Sequence, residues 1–120
     1  MKILRLSQLQ NIKKGHFLSN IINEKYINEG MLRFGKPGFR THSKENQDDS
    51  HTHKTHEVFF ILQGKACIEL DEKKYNVKTG DIFIVEPGEN HHLNVDPKDP
   101  AIYIWFRTGS TRNKNQIVEE

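Results

Sequence analysis

The chain has 120 residues, long enough for one hydrophobic core and too short for two. Its 18 Lys and Arg against 16 Asp and Glu leave a net charge of +2, scattered without the basic stripe or aromatic-interleaved patch that reads nucleic acid. A single cysteine, Cys67, excludes an internal disulfide and a cysteine-based zinc finger.

In chain order, Met1–Leu6 lacks the long apolar core of a signal peptide, and no later stretch approaches about 18 apolar residues. The expectation is a cytoplasmic protein with no membrane partner. Ile3, Leu4 and Leu6 suit an edge strand used in dimerisation, and Ser7 to Lys14 suits a short helix or an irregular loop. Residues 1–30 are expected to pack as a strand or irregular segment on a barrel that occupies 31–107. Residues 41–50 are all polar and predict a solvated loop hanging over the site.

Strand signals then follow one another. Val58–Leu62 is a continuous apolar run rich in aromatic and branched residues, ended by Gln63-Gly64. Lys65–Leu70 alternates, with Ala66, Ile68 and Leu70 on one face. Asp71–Lys74 reads as a polar hairpin turn and Tyr75–Lys78 as the return strand. Thr79-Gly80-Asp81 turns again before Ile82–Val85, which Glu86-Pro87-Gly88 stops. Leu93 and Val95 continue a period of two after His91 and His92, and Ala101–Phe106 is the last strong strand. Residues 108–120 are polar and predict a frayed tail or a short helix. Short strands with turns at this spacing predict an all-β sandwich or barrel.

Four side chains carry the chemistry. On an extended chain His51 and His53 present two imidazoles on one face, about 7 Å apart at Cα, and Glu57 has the same parity. His91 follows the Pro87-Gly88 turn from a separate segment. Imidazole nitrogens and a carboxylate oxygen suit a divalent ion such as Mn, Fe, Zn or Ni, and leave coordination positions for a ligand. Four donors from two separated segments need a closed β scaffold to converge.

These residues resemble the two motifs of the cupin superfamily. His51, His53, Glu57 and Gly64 fall at the first motif's spacing, with three and six intervening residues, and Gly80, Gly88 and His91 at the second's. Fifteen residues between the motifs hold the expected hairpin. The chain departs from the pattern where Glu45 stands for the opening glycine, Glu86 for the first proline and Val95 for the closing asparagine. None of the three removes a ligand. The resemblance implies a double-stranded β-helix, or jelly-roll, barrel that forms a homodimer and binds a divalent metal through His51, His53, Glu57 and His91.

Other residues take blander roles. His56 and His92 adjoin the ligands but face the opposite side of a strand, which predicts rim or surface positions, and His42 and His16 are expected at the surface. Glu86 and Glu89 are expected exposed on their turn, and Cys67 buried or half-buried. Phe59 and Ile61 share the parity of Glu57 and suit either a pocket lining or core packing. Tyr103, Trp105 and Arg107 share one face of the last strand and suit either an anionic substrate or an interface. The resulting reading is a metal-dependent enzyme of isomerase, dioxygenase or lyase type acting on a small molecule. The alternatives are a non-enzymatic small-molecule binding or sensing domain and a structural metal site.

Overall fold

A computed structural model describes residues 1–5, 22, 26–41 and 54–110. Eight strands run in chain order: β1 Lys2–Arg5, β2 Tyr26–Phe34, β3 Glu57–Gln63, β4 Lys65–Leu70, β5 Lys73–Lys78, β6 Asp81–Val85, β7 His91–Val95 and β8 Ile102–Gly109. They form a five-stranded sheet in the order β1-β6-β3-β8-β2 and a three-stranded sheet in the order β5-β4-β7. Every strand pair is antiparallel. This is the all-β jelly roll that the turn spacing and motifs predict.

Period-two alternation sets what lies between the sheets. Phe59 and Ile61 of β3, Phe83 and Val85 of β6 and Tyr103 of β8 point inward. They meet Ala66 and Ile68 of β4, Val77 of β5, and Leu93 and Val95 of β7. Phe59 and Phe83 stack with ring centroids 4.5 Å apart, close to the favourable geometry for an aromatic pair. A second apolar cluster lies on the outer face of the large sheet, where Val58, Ile82 and Ile84 bury against Ile22. With apolar layers on both sides, β6 is buried at every position. That is why its sequence, like that of β3, is an unbroken apolar run instead of an alternating one.

The turns are short and chemically specified. Leu70 pairs with Lys73, so the β4–β5 hairpin turns on two residues and Asp71 takes φ 53°. Asp tolerates that left-handed conformation better than most residues. The expected four-residue turn is therefore corrected: Lys73 and Lys74 already belong to β5. Gly64, between β3 and β4, has φ 78° and lies so close to the Asp99-Pro100 backbone that a Cβ would sit 2.3 Å from the Pro100 carbonyl oxygen. That approach lets Lys65 N–H donate to the Asp99 carbonyl at 2.8 Å.

The ends of the chain differ most from expectation. β1 is an edge strand, as read, hydrogen-bonded to β6. β2 is a nine-residue strand where none was predicted, and it pairs along nearly all of β8. The polar tail expected from residue 108 starts later, because Thr108 and Gly109 complete β8. Thr108 is fully buried, and its N–H donates to the His56 carbonyl at 3.1 Å. The readings for Ser7–Lys14 and for residues 42–50 lie outside the described residues.

Gly64 and Gly88 both have positive φ, but a Cβ at Gly88 meets nothing within 4 Å. Gly88→Ala is expected to cost about 1 kcal/mol, the left-handed penalty alone. Gly64→Ala adds a clash with backbone that cannot swing away and is expected to cost roughly 3 kcal/mol. Urea unfolding of the two variants checks the difference.

Candidate functional site

One end of the inter-sheet space is left unfilled, a cavity of about 280 Å³. Its floor is a grid of inward side chains from three neighbouring strands. Glu57, Arg107 and Glu29 lie in one row across β3, β8 and β2, and Phe59, Trp105 and Met31 lie in the next. A third row brings Ile61, Tyr103 and Arg33 together. The alternation that packs Ile61 in the core thus sends Glu57 to the open end of the same strand.

His91 opens β7 in the opposite sheet and reaches across to Glu57. Its Nε2 lies 2.6 Å from Glu57 Oε2, with both side chains almost completely buried. The ring's Nδ1 lies 3.0 Å from the Glu89 carbonyl oxygen, which only accepts, so Nδ1 carries a proton. In the neutral imidazole Nε2 is then a lone pair aimed at a carboxylate. Two acceptors at 2.6 Å need a proton between them, which makes the contact a charge-assisted hydrogen bond. Burial by itself pulls the His91 imidazole down. Hydrogen bonds to Glu57 and to the Glu89 carbonyl, with the Glu57 charge, outweigh it and raise the group above its ordinary value.

The carboxylate is held on its other side too. The Trp105 indole N–H donates to Glu57 Oε1, leaving Oε2 for His91. The Arg107 guanidinium lies 5.7 Å above the Trp105 ring and pairs with Glu29. A continuous polar path therefore runs from Glu29 at the cavity's mouth to the Glu89 carbonyl beneath His91.

Of the four expected metal ligands, the structure brings Glu57 and His91 together, and His51 and His53 lie outside the described residues. Among the described residues no third histidine, cysteine, aspartate or glutamate joins the pair. One imidazole nitrogen and one carboxylate oxygen are donor types that suit a divalent cation.

Two expectations near the site are corrected. His92 is neither rim nor surface: it is buried, with Nδ1 3.0 Å from the Thr41 carbonyl oxygen. It does face away from His91, as strand parity requires, but the Phe39–Thr41 segment lies over that side, bonded to Leu93 and Val95. Glu89 is half-buried, because its carboxylate accepts from the Glu86 N–H and pairs with the Met1 amino group. His56 is half-buried and contributes its carbonyl to Thr108. Cys67 is half-buried as expected, and burial pushes its thiol up.

Tyr103, Trp105 and Arg107 face the cavity. Sequence reasoning missed Glu29, Met31, Arg33 and Thr41 of the lining. The Glu29, Met31, Arg33 alternation was available, but polar neighbours and Gly30 weakened it as a strand signal.

A family model described as a cupin domain matches residues 39–107, more than half of the chain. Among solved structures the chain is similar to a cupin protein from Bacteroides fragilis, at 17% identity and TM-score 0.60, over 94% of this chain and 97% of that one. It is also similar to a conserved protein with a double-stranded β-helix domain from Klebsiella pneumoniae, at 20% identity and TM-score 0.57, over 75% and 74% of the two chains. An RmlC-like cupin from Shewanella frigidimarina aligns at 18% identity and TM-score 0.52, over 67% and 65%. At these identities the likeness is one of fold. No protein of curated function matches the chain.

His91→Ala leaves the buried Glu57 carboxylate without its partner and is expected to cost about 3 kcal/mol in urea unfolding. Trp105→Phe removes one donor and is expected to cost about 1–2 kcal/mol. A cost for Trp105→Phe equal to or above that of His91→Ala would show that the indole, and not the imidazole, holds the carboxylate.

Proposed function

Because the chain belongs to the cupin family, we propose that it binds a divalent metal ion, Mn, Fe, Zn or Ni, through His51, His53, Glu57 and His91. The reading continues that it acts with this ion on a small molecule held in the cavity. The observation that supports the proposal is the 2.6 Å approach of His91 Nε2 to Glu57 Oε2 at the cavity floor, which brings two donor types suited to a divalent ion to one place. When bound, the ion would supply Lewis-acid polarisation or, as Fe(II), activation of dioxygen, the chemistry of isomerases, lyases and dioxygenases. The chain's own contribution is orientation. Trp105 fixes which oxygen Glu57 presents, the Glu89 carbonyl fixes which nitrogen His91 presents, and buried Phe59 lies beside them.

A second reading, a non-enzymatic small-molecule binder, is favoured by one feature of the lining. Glu29 is paired with Arg107, and Glu57 with Trp105 and His91, so each carboxylate of the cavity is engaged by a neighbour and poorly placed as a general base.

Metal analysis of the purified protein is expected to find about one ion per chain. Glu57→Gln, His91→Ala and the double variant His51→Ala with His53→Ala should each lose it, and His92→Ala should keep it. Metal retained in all three ligand variants would sink the assignment. Turnover of sugars, phenolics and keto acids with and without Fe(II) or Mn(II) separates the enzyme from the binder.

We infer further that the chain acts in the cytoplasm as a homodimer. Among the described residues no helix is long and apolar enough to cross a membrane. The outer edge of β2 meets no strand among the described residues, and Leu32, Phe34 and Ile104 expose apolar surface beside it. Leu32→Lys with Phe34→Lys is expected to halve the mass read by light scattering while metal content is kept. An unchanged mass would remove this face as the interface.

A further inference from the structure

Among the described residues that line the cavity, Glu29 is paired with Arg107 and Glu57 with His91. Arg33 remains. Its guanidinium lines the cavity and lies 4.6 Å over the Phe39 ring, and among the described residues no carboxylate pairs with it. Stacking on an aromatic face holds the guanidinium plane and leaves its in-plane N–H donors for a ligand.

Beside it is a second donor. Tyr103 is cross-strand to Arg33 and only 2% exposed. Its side chain lines the same cavity. Burial pushes the phenol up, against a smaller opposing effect of the Arg33 charge, so it stays a donor at neutral pH. A guanidinium fork and a hydroxyl donor side by side are complementary to a planar carboxylate. Apart from Thr41, the rest of the lining is apolar: Phe59, Met31 and the Trp105 ring. A bare inorganic anion would leave those walls unused, and a cavity of about 280 Å³ admits only a compact molecule.

We propose that the cavity receives a small organic carboxylate, its carboxylate held by the Arg33 guanidinium and the Tyr103 hydroxyl and its apolar body lying on Phe59, Met31 and Trp105. This deepens the functional reading and rests on it only in taking the same cavity as the functional site. The carboxylate contact itself does not require the ion.

Trp105 is the chain's single tryptophan and forms part of the cavity wall, so its emission reports occupancy. The test titrates pyruvate, benzoate and succinate, each beside its uncharged amide, and inorganic phosphate. Trp105 fluorescence and calorimetry follow binding to chelator-treated protein and to protein reloaded with Mn(II). At least one carboxylate is expected to bind ten times more tightly than its amide in both forms. Arg33→Gln should abolish that preference, Arg33→Lys should restore part of it, and Tyr103→Phe should weaken it several-fold. Arg33 is half-exposed on an edge strand, so its variants are expected to fold, and thermal melts check this. The proposal is overturned if no carboxylate outcompetes its amide, if Arg33→Gln leaves affinity unchanged, or if phosphate binds as tightly as the best carboxylate. Mn(II) bound without carboxylate selectivity overturns this inference and leaves the metal reading standing. Carboxylate selectivity without Mn(II) uptake does the reverse.

Discussion

Two buried acceptors facing each other across the barrel are the constraint on which the site depends. Glu57 Oε2 and His91 Nε2 belong to different sheets, and their approach is tolerable only with a positive charge between them. An apolar pair at this place would close the barrel more securely, since burying charged groups costs several kcal/mol each before they find partners. The chain instead spends further groups on supporting the pair. The indole N–H holds one side of the carboxylate, a main-chain carbonyl holds the far side of the imidazole, and Arg107 lies over the indole. Such supports fix orientation, which is what a metal or a reacting ligand needs from donors that would otherwise rotate.

The polar pair survives because the rest of the interior is conventional. On the same strand as Glu57, Phe59 and Ile61 descend into a packed cluster with Phe83, Val85 and Leu93. The Phe59–Phe83 stack lies one inward position below the Glu57 row and divides the two regions. Beneath it on β3 and β6 the core is apolar. The cavity runs beside it along β8 and β2, from the Glu57 row to Tyr103 and Arg33. Outside, the second cluster under Ile22 gives the central strands β3 and β6 a second buried face, so the sheet bearing the site is anchored from behind. Rigidity of that sheet is what lets three rows of side chains act as one surface.

How much of this was legible in the sequence follows from which forces are local. β3, β4, β6, β7 and the core of β8 announce themselves by apolar runs and alternation, because each buries at least one face. The Glu57–His91 convergence was legible as motif spacing, since turns at Gly64, Gly80 and Gly88 fix the path between them. β2 was not legible. It is an edge strand with Leu32 and Phe34 exposed outward and Glu29 and Arg33 turned to a polar cavity, so neither face carries the usual burial signature. His92 was misjudged for a related reason: parity gives the direction of a side chain, and only tertiary structure shows that Phe39–Thr41 lies over that side. Lys73 and Lys74 looked like turn residues by composition, yet a two-residue turn at Asp71 needs neither.

β2's position explains how Arg33 comes to face the cavity from the least legible strand. Glu57 and His91 come from β3 and β7, which belong to different sheets. Selectivity for a ligand's charge needs a group that can stay solvated while the cavity is empty, because a fully buried unpaired guanidinium would destabilise the fold. An edge strand supplies that: Arg33 is half-exposed, stacked on Phe39, and still faces Tyr103 across one strand pair. The same placement means that β2 could change its inward residues with little effect on the core under Phe59. The Glu57–His91 pair and Arg33 therefore rest on separate strands, and one can be altered while the other keeps its geometry.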